Sequence, residues 1–163
     1  MEFFEQGEKL YKRSKYEEAI HSFDKAISLK PDFVEAYRQK ANMLFYLQKY
    51  EEAIQCFDQI ISLKPDFIIA LGMKGNCLFK LQRYEESIKS YDTILSLEPG
   101  RFNTLCDKGD SLFHLCRYEE AIECYEKAIS RNPDIIDTYP YKMKGSCWFD
   151  LQKYEEAIIC FDK

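Results

Sequence analysis

Four prolines recur at a constant interval along this chain of 163 residues. Pro31, Pro65, Pro99 and Pro133 are each separated from the next by 34 residues (65−31, 99−65 and 133−99). A fixed period of this length is typical of repeat architectures, in which one supersecondary unit stacks on the next. The period therefore predicts an array of similar units, each of which buries its apolar face against its neighbours.

A five-residue sequence motif recurs together with the prolines. Tyr-Glu-Glu-Ala-Ile, once with serine in place of alanine, begins at Tyr16, Tyr50, Tyr84, Tyr118 and Tyr154. Paired glutamates favour the first turn of a helix, where the macrodipole is positive, and the residue before a proline avoids the α conformation. Each motif is thus predicted to begin a helix that ends near the next proline. Apolar residues spaced by three and four positions before each motif predict a preceding helix. Each unit is therefore predicted to be a helical hairpin.

A small residue recurs at one position of the first helix of each hairpin. The residues at this position are Gly7, Ala41, Gly75, Gly109 and Gly145. Glycine inside a helix costs about 1 kcal/mol relative to alanine. Its recurrence indicates that a neighbouring helix needs the space.

Composition narrows the classes of partner. The net charge of −5 disfavours nucleic acid and anionic membranes as partners, because both require a basic surface. The acidic N-terminus lacks the order of a signal peptide, and no apolar run is long enough for a membrane span. We expect a soluble, cytoplasmic protein.

The seven cysteines are interpreted as small apolar residues rather than as ligands or disulfide partners. No CxxC pair is present, and the cysteine count is odd. We therefore expect no metal site and no cofactor. No nucleophile–base signature, phosphate-binding loop or zincin motif occurs either, so the chain is not predicted to be an enzyme.

These features resemble the tetratricopeptide repeat (TPR) family, with four full repeats and a partial fifth. The family pattern alternates large or aromatic residues with small ones and ends in proline. In the second repeat the pattern is matched by Tyr37, Ala41, Leu44, Ala53, Phe57, Ile60 and Pro65. The resemblance implies an all-α fold: an α-solenoid, a right-handed superhelix of antiparallel helix hairpins. We expect one array over 1–163, with repeats at about 1–33, 34–67, 68–101 and 102–135 and a partial repeat at 136–163.

The fifth repeat departs from the period in two ways. Gly145 follows Gly109 by 36 residues rather than 34, so two residues are added within 135–140, and Pro140 is expected to begin the next helix. No polar capping helix follows the repeat. We expect the sequence to be a segment of a longer protein; the alternative is an exposed end that packs against another molecule.

The resemblance also implies where a partner binds, because first helices of the family line a concave groove for peptides or helices. The expected groove residues are Arg38, Asn42, Phe45, Met73, Asn76, Phe79, Lys80, Asp107, Asp110, Phe113 and His114. An aromatic ladder runs among them, formed by Tyr11, Phe45, Phe79, Phe113 and Phe149. Whether its rings meet a partner or pack within the stack stays open.

One TPR subfamily binds a C-terminal carboxylate with basic residues and asparagines, and this chain departs from that pattern. Arg38 and Asn42 match, but Met73 stands where an asparagine is needed, and Asn103 and Asp107 stand where two basic residues are needed. An aspartate there would repel a carboxylate. The leading hypothesis is a scaffold that binds a peptide or helix of a partner protein. The alternatives are a self-associating module, forming a homo-oligomer through its C-terminal end at Tyr154, Ile158 and Phe161, and a regulatory segment of a larger protein.

Overall fold

The computed structural model describes residues 1–131 and 138–163, and all regular elements in these ranges are α-helices. The helices are α1 (Glu2–Tyr11), α2 (Tyr16–Leu29), α3 (Val34–Tyr46), α4 (Tyr50–Leu63), α5 (Ile68–Lys80), α6 (Tyr84–Leu97), α7 (Phe102–His114), α8 (Tyr118–Arg131), α9 (Tyr139–Asp150) and α10 (Tyr154–Phe161). The predicted all-α fold is confirmed. Pro133, the fourth repeat boundary and most of the two-residue addition lie outside the described residues.

The chain forms two compact units, Met1–Leu81 and Gln82–Lys163. In the first unit, α1 pairs with α2 and α3 pairs with α4 as hairpins, α3 packs on α2, and α5 packs on α4. In the second, α6 packs on α7, α7 pairs with α8, α8 packs on α9, and α9 pairs with α10. The second helices α2, α4 and α8 therefore each lie between two first helices of the same unit.

The prolines end the second helices in the expected manner. Lys30, Lys64 and Glu98 precede Pro31, Pro65 and Pro99, and their φ values of −140°, −143° and −131° are extended rather than helical. This conformation is the one that a following proline imposes. At the start of α9, Pro140 lies in the first turn, which confirms its predicted place at a helix beginning.

The turns between first and second helices share one left-handed residue. These residues have φ values of 57–60° and are Ser14, Gln48, Gln82, Cys116 and Gln152. In the second hairpin, the N–H of Gln48 donates to the carbonyl of Phe45 (3.0 Å), and the N–H of Lys49 donates to the carbonyl of Leu44 (2.8 Å). The left-handed residue reverses the chain while it satisfies carbonyls at the end of the first helix.

Three of the recurrent small residues, Gly7, Gly109 and Gly145, lie against an aromatic ring of the second helix of their hairpin, as their recurrence indicated. A Cβ atom at Gly7 would lie 2.7 Å from the Phe23 ring, and one at Gly109 would lie 2.7 Å from the Tyr125 ring. Both rings are fully buried. The aromatic ring of the second helix thus occupies the space that a side chain at this position of the first helix would fill.

A series of ion pairs joins each second helix to the next first helix. Four such interhelix ion pairs are formed, and in each a lysine Nζ lies 2.5–2.6 Å from a carboxylate oxygen. They are Asp24–Lys40, Asp58–Lys74, Asp92–Lys108 and Glu126–Lys144. Partly exposed pairs of this kind are worth about 0–1 kcal/mol each. Their main effect is to favour one register between adjacent hairpins.

Six of the seven cysteines are buried, and Cys116 alone is exposed. Burial raises the pKa of the Cys56 thiol to about 11 and that of the Cys77 and Cys147 thiols to about 12. Thiols in such surroundings remain protonated and unreactive. The interpretation of cysteine as a small apolar residue is confirmed for the six buried positions. Over residues 1–131 and 138–163, no cluster of three potential metal ligands is found.

Replacing Gln48 by glycine is expected to stabilise the protein. Gln48 adopts φ 58°, which costs a residue with a Cβ more than it costs glycine. The free energy of unfolding should rise by about 0.5–1 kcal/mol, measured by urea denaturation. Gln55→Gly is the matched control, because Gln55 is exposed within α4 and its replacement should lower stability by about 1 kcal/mol. Equal losses for both variants would contradict the turn assignment.

Replacing Gly109 by alanine is expected to destabilise the second unit. The new methyl group would overlap the Tyr125 ring, and overpacking of about 1–3 kcal/mol outweighs a helix-propensity gain of up to about 1 kcal/mol. Gly100→Ala is the control, since its Cβ would lie 3.5 Å from Arg131 in ordinary contact. Thermal unfolding should show a lower Tm for the Gly109 variant only. An unchanged Tm would show that the helices separate freely at this point.

Candidate protein-binding surface

The predicted groove residues lie on first helices and are accessible, in contrast to the recurring residues of the same helices. In the first unit, Arg38, Asn42 and Phe45 lie along one face of α3, and Met73, Asn76, Phe79 and Lys80 lie on α5. In the second unit, Asp107, Asp110, Phe113 and His114 lie on α7. Spacings of three and four place each set on one side of its helix. We call these sides the first-helix faces.

Arg38 is already paired within α3. Its Nε and Nη2 atoms donate to the two carboxylate oxygens of Glu35 at 2.9 and 2.5 Å, and Gln39 Nε2 donates to the same carboxylate at 3.1 Å. The hydrogen bonds to Glu35 raise the pKa of Arg38 above its ordinary value. A carboxylate ligand would have to displace Glu35, which is a further physical argument against a carboxylate-binding clamp.

The aromatic ladder packs partly inside its own hairpins. Four of its rings, Tyr11, Phe45, Phe113 and Phe149, contact the tyrosine that begins the second helix of the same hairpin, five residues along the chain. The centroid distances are 5.4 Å for Phe45–Tyr50, 5.5 Å for Phe113–Tyr118, 5.5 Å for Phe149–Tyr154 and 6.1 Å for Tyr11–Tyr16. Phe45, Phe79 and Phe113 are half-buried, whereas Phe149 is 56% exposed. The inner rings thus have a packing role, and their exposed edges remain on the first-helix faces.

Asp110 connects three helices of the second unit. Its Oδ1 atom accepts a hydrogen bond from the Tyr125 hydroxyl of α8, and its Oδ2 atom accepts one from the Tyr139 hydroxyl of α9, both at 2.7 Å. Burial raises the pKa of Asp110, and the two tyrosine hydroxyls act in the opposite direction. Asp110 is therefore a structural link as well as a surface residue, which its place in the sequence does not reveal.

Asp107 lies one turn before Asp110 on the same side of α7, and it is half-buried. Burial, followed by the charge of Asp110, raises the pKa of Asp107 to about 6. Among the described residues no lysine or arginine forms an ion pair with it. At neutral pH this face of α7 therefore presents a carboxylate that no cation within residues 1–131 and 138–163 pairs with.

Two tyrosine contacts of this unit were missed by the sequence prediction. The Tyr84 ring stacks on the His114 imidazole at 4.9 Å and 5°, and Tyr139 lies beside Asp110. Counting back six residues from Gly145 places Tyr139 at the position of Asn103 and Glu35 in earlier repeats. The aromatic ladder already aligns the fifth repeat on its glycine, with Phe149 36 residues after Phe113, and the same alignment assigns Tyr139 to the first-helix face.

The fold and the pairing of its helices define an α-solenoid built from helical hairpins. Models described as tetratricopeptide repeat match residues 34–67, 102–135 and 68–101, and a model described as TPR repeat matches residues 7–42. The chain belongs to the tetratricopeptide repeat family. A search of curated protein sequences found no match.

Solved structures of similar fold include two of MamA and one of YrrB. MamA from Desulfovibrio magneticus RS-1 is 19% identical with a TM-score of 0.88, covering 98% of this chain and 89% of that one. A further MamA structure is 19% identical with a TM-score of 0.90, covering 98% and 86%. YrrB, described as a TPR protein with an unusual peptide-binding site, is 18% identical with a TM-score of 0.83, covering 98% and 81%. At these identities the likeness shows the fold alone.

The raised pKa of Asp107 predicts a pH-dependent stability difference. A carboxyl group whose pKa is about 6 when folded and about 3.9 when unfolded stabilises the fold below about pH 4 and loses that contribution as pH rises through 6. Asp107→Asn should therefore increase the free energy of unfolding at pH 7.5 by about 1–3 kcal/mol relative to the wild type. The difference should shrink towards zero at pH 4.

Urea denaturation at both pH values measures this effect. Asp66→Asn, in an exposed turn, controls for the loss of one negative charge. A difference between wild type and Asp107→Asn that does not change from pH 4 to pH 7.5 would show that Asp107 is well solvated.

Proposed function

We propose that this chain is a non-enzymatic scaffold whose first-helix faces bind a peptide or helix of a partner protein. The observation that carries the proposal is the division of each first helix into two sides. Residues that recur with the period, such as Leu44, Leu78 and Leu112, are buried. The residues that vary, such as Asn42, Met73 and Asp107, remain accessible. Family membership supports the same role, and the peptide-binding site named for YrrB offers a precedent within the fold.

The faces of the first unit suit an apolar segment. On α3 the charge of Arg38 is compensated by Glu35, so Phe45 and its neighbours present a nearly neutral surface. On α5 Met73 and Phe79 add half-buried apolar groups. Partly exposed aromatic and methionine side chains are favourable anchors for a partner, because they bury large areas at low entropic cost.

The face of the second unit suits a segment that contains a basic side chain. The Asp107 carboxylate has no ion-pair partner among the described residues, and the half-buried Phe113 lies two turns further along α7. A lysine or arginine of the partner would compensate this charge in a setting less screened than bulk water. The net charge of −5 supports the same polarity for the partner.

The proposal includes three further parts of the sequence prediction. The protein acts on protein or peptide partners and not on nucleic acid or membranes, it works in the cytoplasm, and residues 1–163 form one array. None of the helices in residues 1–131 and 138–163 combines the length and apolarity needed to cross a bilayer.

Panning a random peptide display library against the full chain tests the proposal. We expect the enriched peptides to contain apolar residues together with lysine or arginine. Asp107→Lys should reduce the enrichment of basic residues several-fold, because it replaces attraction by repulsion. Glu123→Lys makes the same change of charge on the second helix α8 and should leave the enriched set unchanged. Identical peptide sets from all three proteins would place the binding surface elsewhere.

A further inference from the structure

Three buried positions recur where a second helix packs on the first helix of the next hairpin. One position lies on the second helix and two lie on the first helix, and we call the contact between them a seam. In the α2–α3, α4–α5 and α8–α9 seams, every residue at these positions is apolar and buried. The three sets are Ala19, Ala36 and Met43; Ala53, Ala70 and Cys77; and Ala121, Pro140 and Cys147.

The α6–α7 seam has a hydroxyl group at all three positions. Its residues are Ser87, Thr104 and Ser111, which are 0%, 4% and 0% exposed. They follow the residues of the α4–α5 set by 34 positions, so they occupy the same places in the repeat. The rest of this contact is like the others, because Ile88 and Leu112 share one apolar cluster and Asp92 pairs with Lys108.

The two serines of this seam are hydrogen-bonded to each other across the helices. Ser87 Oγ donates to Ser111 Oγ at 2.8 Å, and Ser111 Oγ donates to the Asp107 carbonyl of its own helix at 3.0 Å. The Tyr84 carbonyl, 2.8 Å from Ser87 Oγ, is an alternative acceptor for the same proton. Both hydroxyls are therefore satisfied while the seam is closed, and each keeps an acceptor within its own helix when the seam opens.

Opening this seam costs less free energy than opening an apolar one. Separation of an apolar seam exposes hydrocarbon and sulfur groups to water, which opposes opening in proportion to the exposed area. In the α6–α7 seam, the hydrogen bond between the serines is exchanged for hydrogen bonds to water, and such an exchange changes the free energy little. The closed α6–α7 seam is thus held less firmly than its counterparts.

We propose that the second unit opens locally at the α6–α7 seam, with α6 separating from α7 while α7, α8, α9 and α10 stay packed on one another. The opening is reversible, because the hydroxyls return to the same acceptors when the seam closes. It is a conformational property of the array and does not rest on the function proposed for the first-helix faces.

Native-state hydrogen exchange of the full chain, followed by mass spectrometry of peptic fragments, tests the proposal. The double variant Ser87→Ala with Ser111→Cys gives the seam the residues found in the α4–α5 and α8–α9 seams. We expect it to slow exchange of the α6 amides about five- to tenfold, because opening becomes rarer. The amides of α4 and α8 should keep their exchange rates.

The reciprocal change is the matched control. Ala121→Ser with Cys147→Ser introduces the serine pair at the α8–α9 seam and should speed exchange of the α8 amides about five- to tenfold. The α6 amides should be unaffected. Ser87→Ala with Ser111→Ala removes both hydroxyls without adding a larger atom, and it replaces the first variant if circular dichroism shows that the cysteine reduces the helical content.

Two results would overturn the proposal. One is unchanged or faster exchange of the α6 amides in the variants that remove the hydroxyls, since the serines would then hold the seam at least as firmly as apolar residues do. The other is equal slowing of exchange in α4, α6 and α8. Exchange would then report unfolding of the whole chain rather than opening of one seam.

Discussion

The close approach of two helices at one glycine is the constraint on which the hairpins α1–α2, α7–α8 and α9–α10 depend. At Gly109 the absence of a side chain admits the Tyr125 ring, and at Gly7 it admits the Phe23 ring. The ring in turn forms part of the surface on which the next first helix packs. Because the contact sets the separation within the hairpin, it also sets which residues of the first helix are left accessible. The accessible first-helix faces are thus a consequence of how the scaffold is packed.

Most of the scaffold could be predicted from the sequence because its causes are local and repeated. The effects of the paired glutamates, the prolines and the small residue are each confined to a few neighbouring residues. A prediction that would be weak in one repeat becomes strong because these features recur in the others. The beginnings of α4, α6 and α8 at Tyr50, Tyr84 and Tyr118 are the predicted ones. The left-handed turn residue at Gln48 was not foreseen, since glutamine has no preference for that conformation and the fold imposes it.

The candidate surface was less predictable because its properties depend on pairs of residues distant in sequence. That Asp110 binds Tyr125 and Tyr139 depends on the packing of α8 and α9 against α7. Asp107 has no ion-pair partner among the described residues because nearby lysines pair with other carboxylates, as Lys108 does with Asp92 on α6. The pairing of Arg38 with Glu35 is local and could have been predicted from its spacing of three residues.

Because the cysteines differ in exposure, their rates of alkylation can report local opening of the helices. In the folded protein only the Cys116 thiol reaches solvent, from the left-handed turn that leads into α8. The six buried thiols are distributed over the helices α4, α5, α7, α8, α9 and α10. An alkylating reagent would therefore label Cys116 at once and each other thiol only at the rate at which its own helix separates from its neighbours. Mass spectrometry of the labelled peptides would then resolve the local stability of these six helices, without any introduced probe.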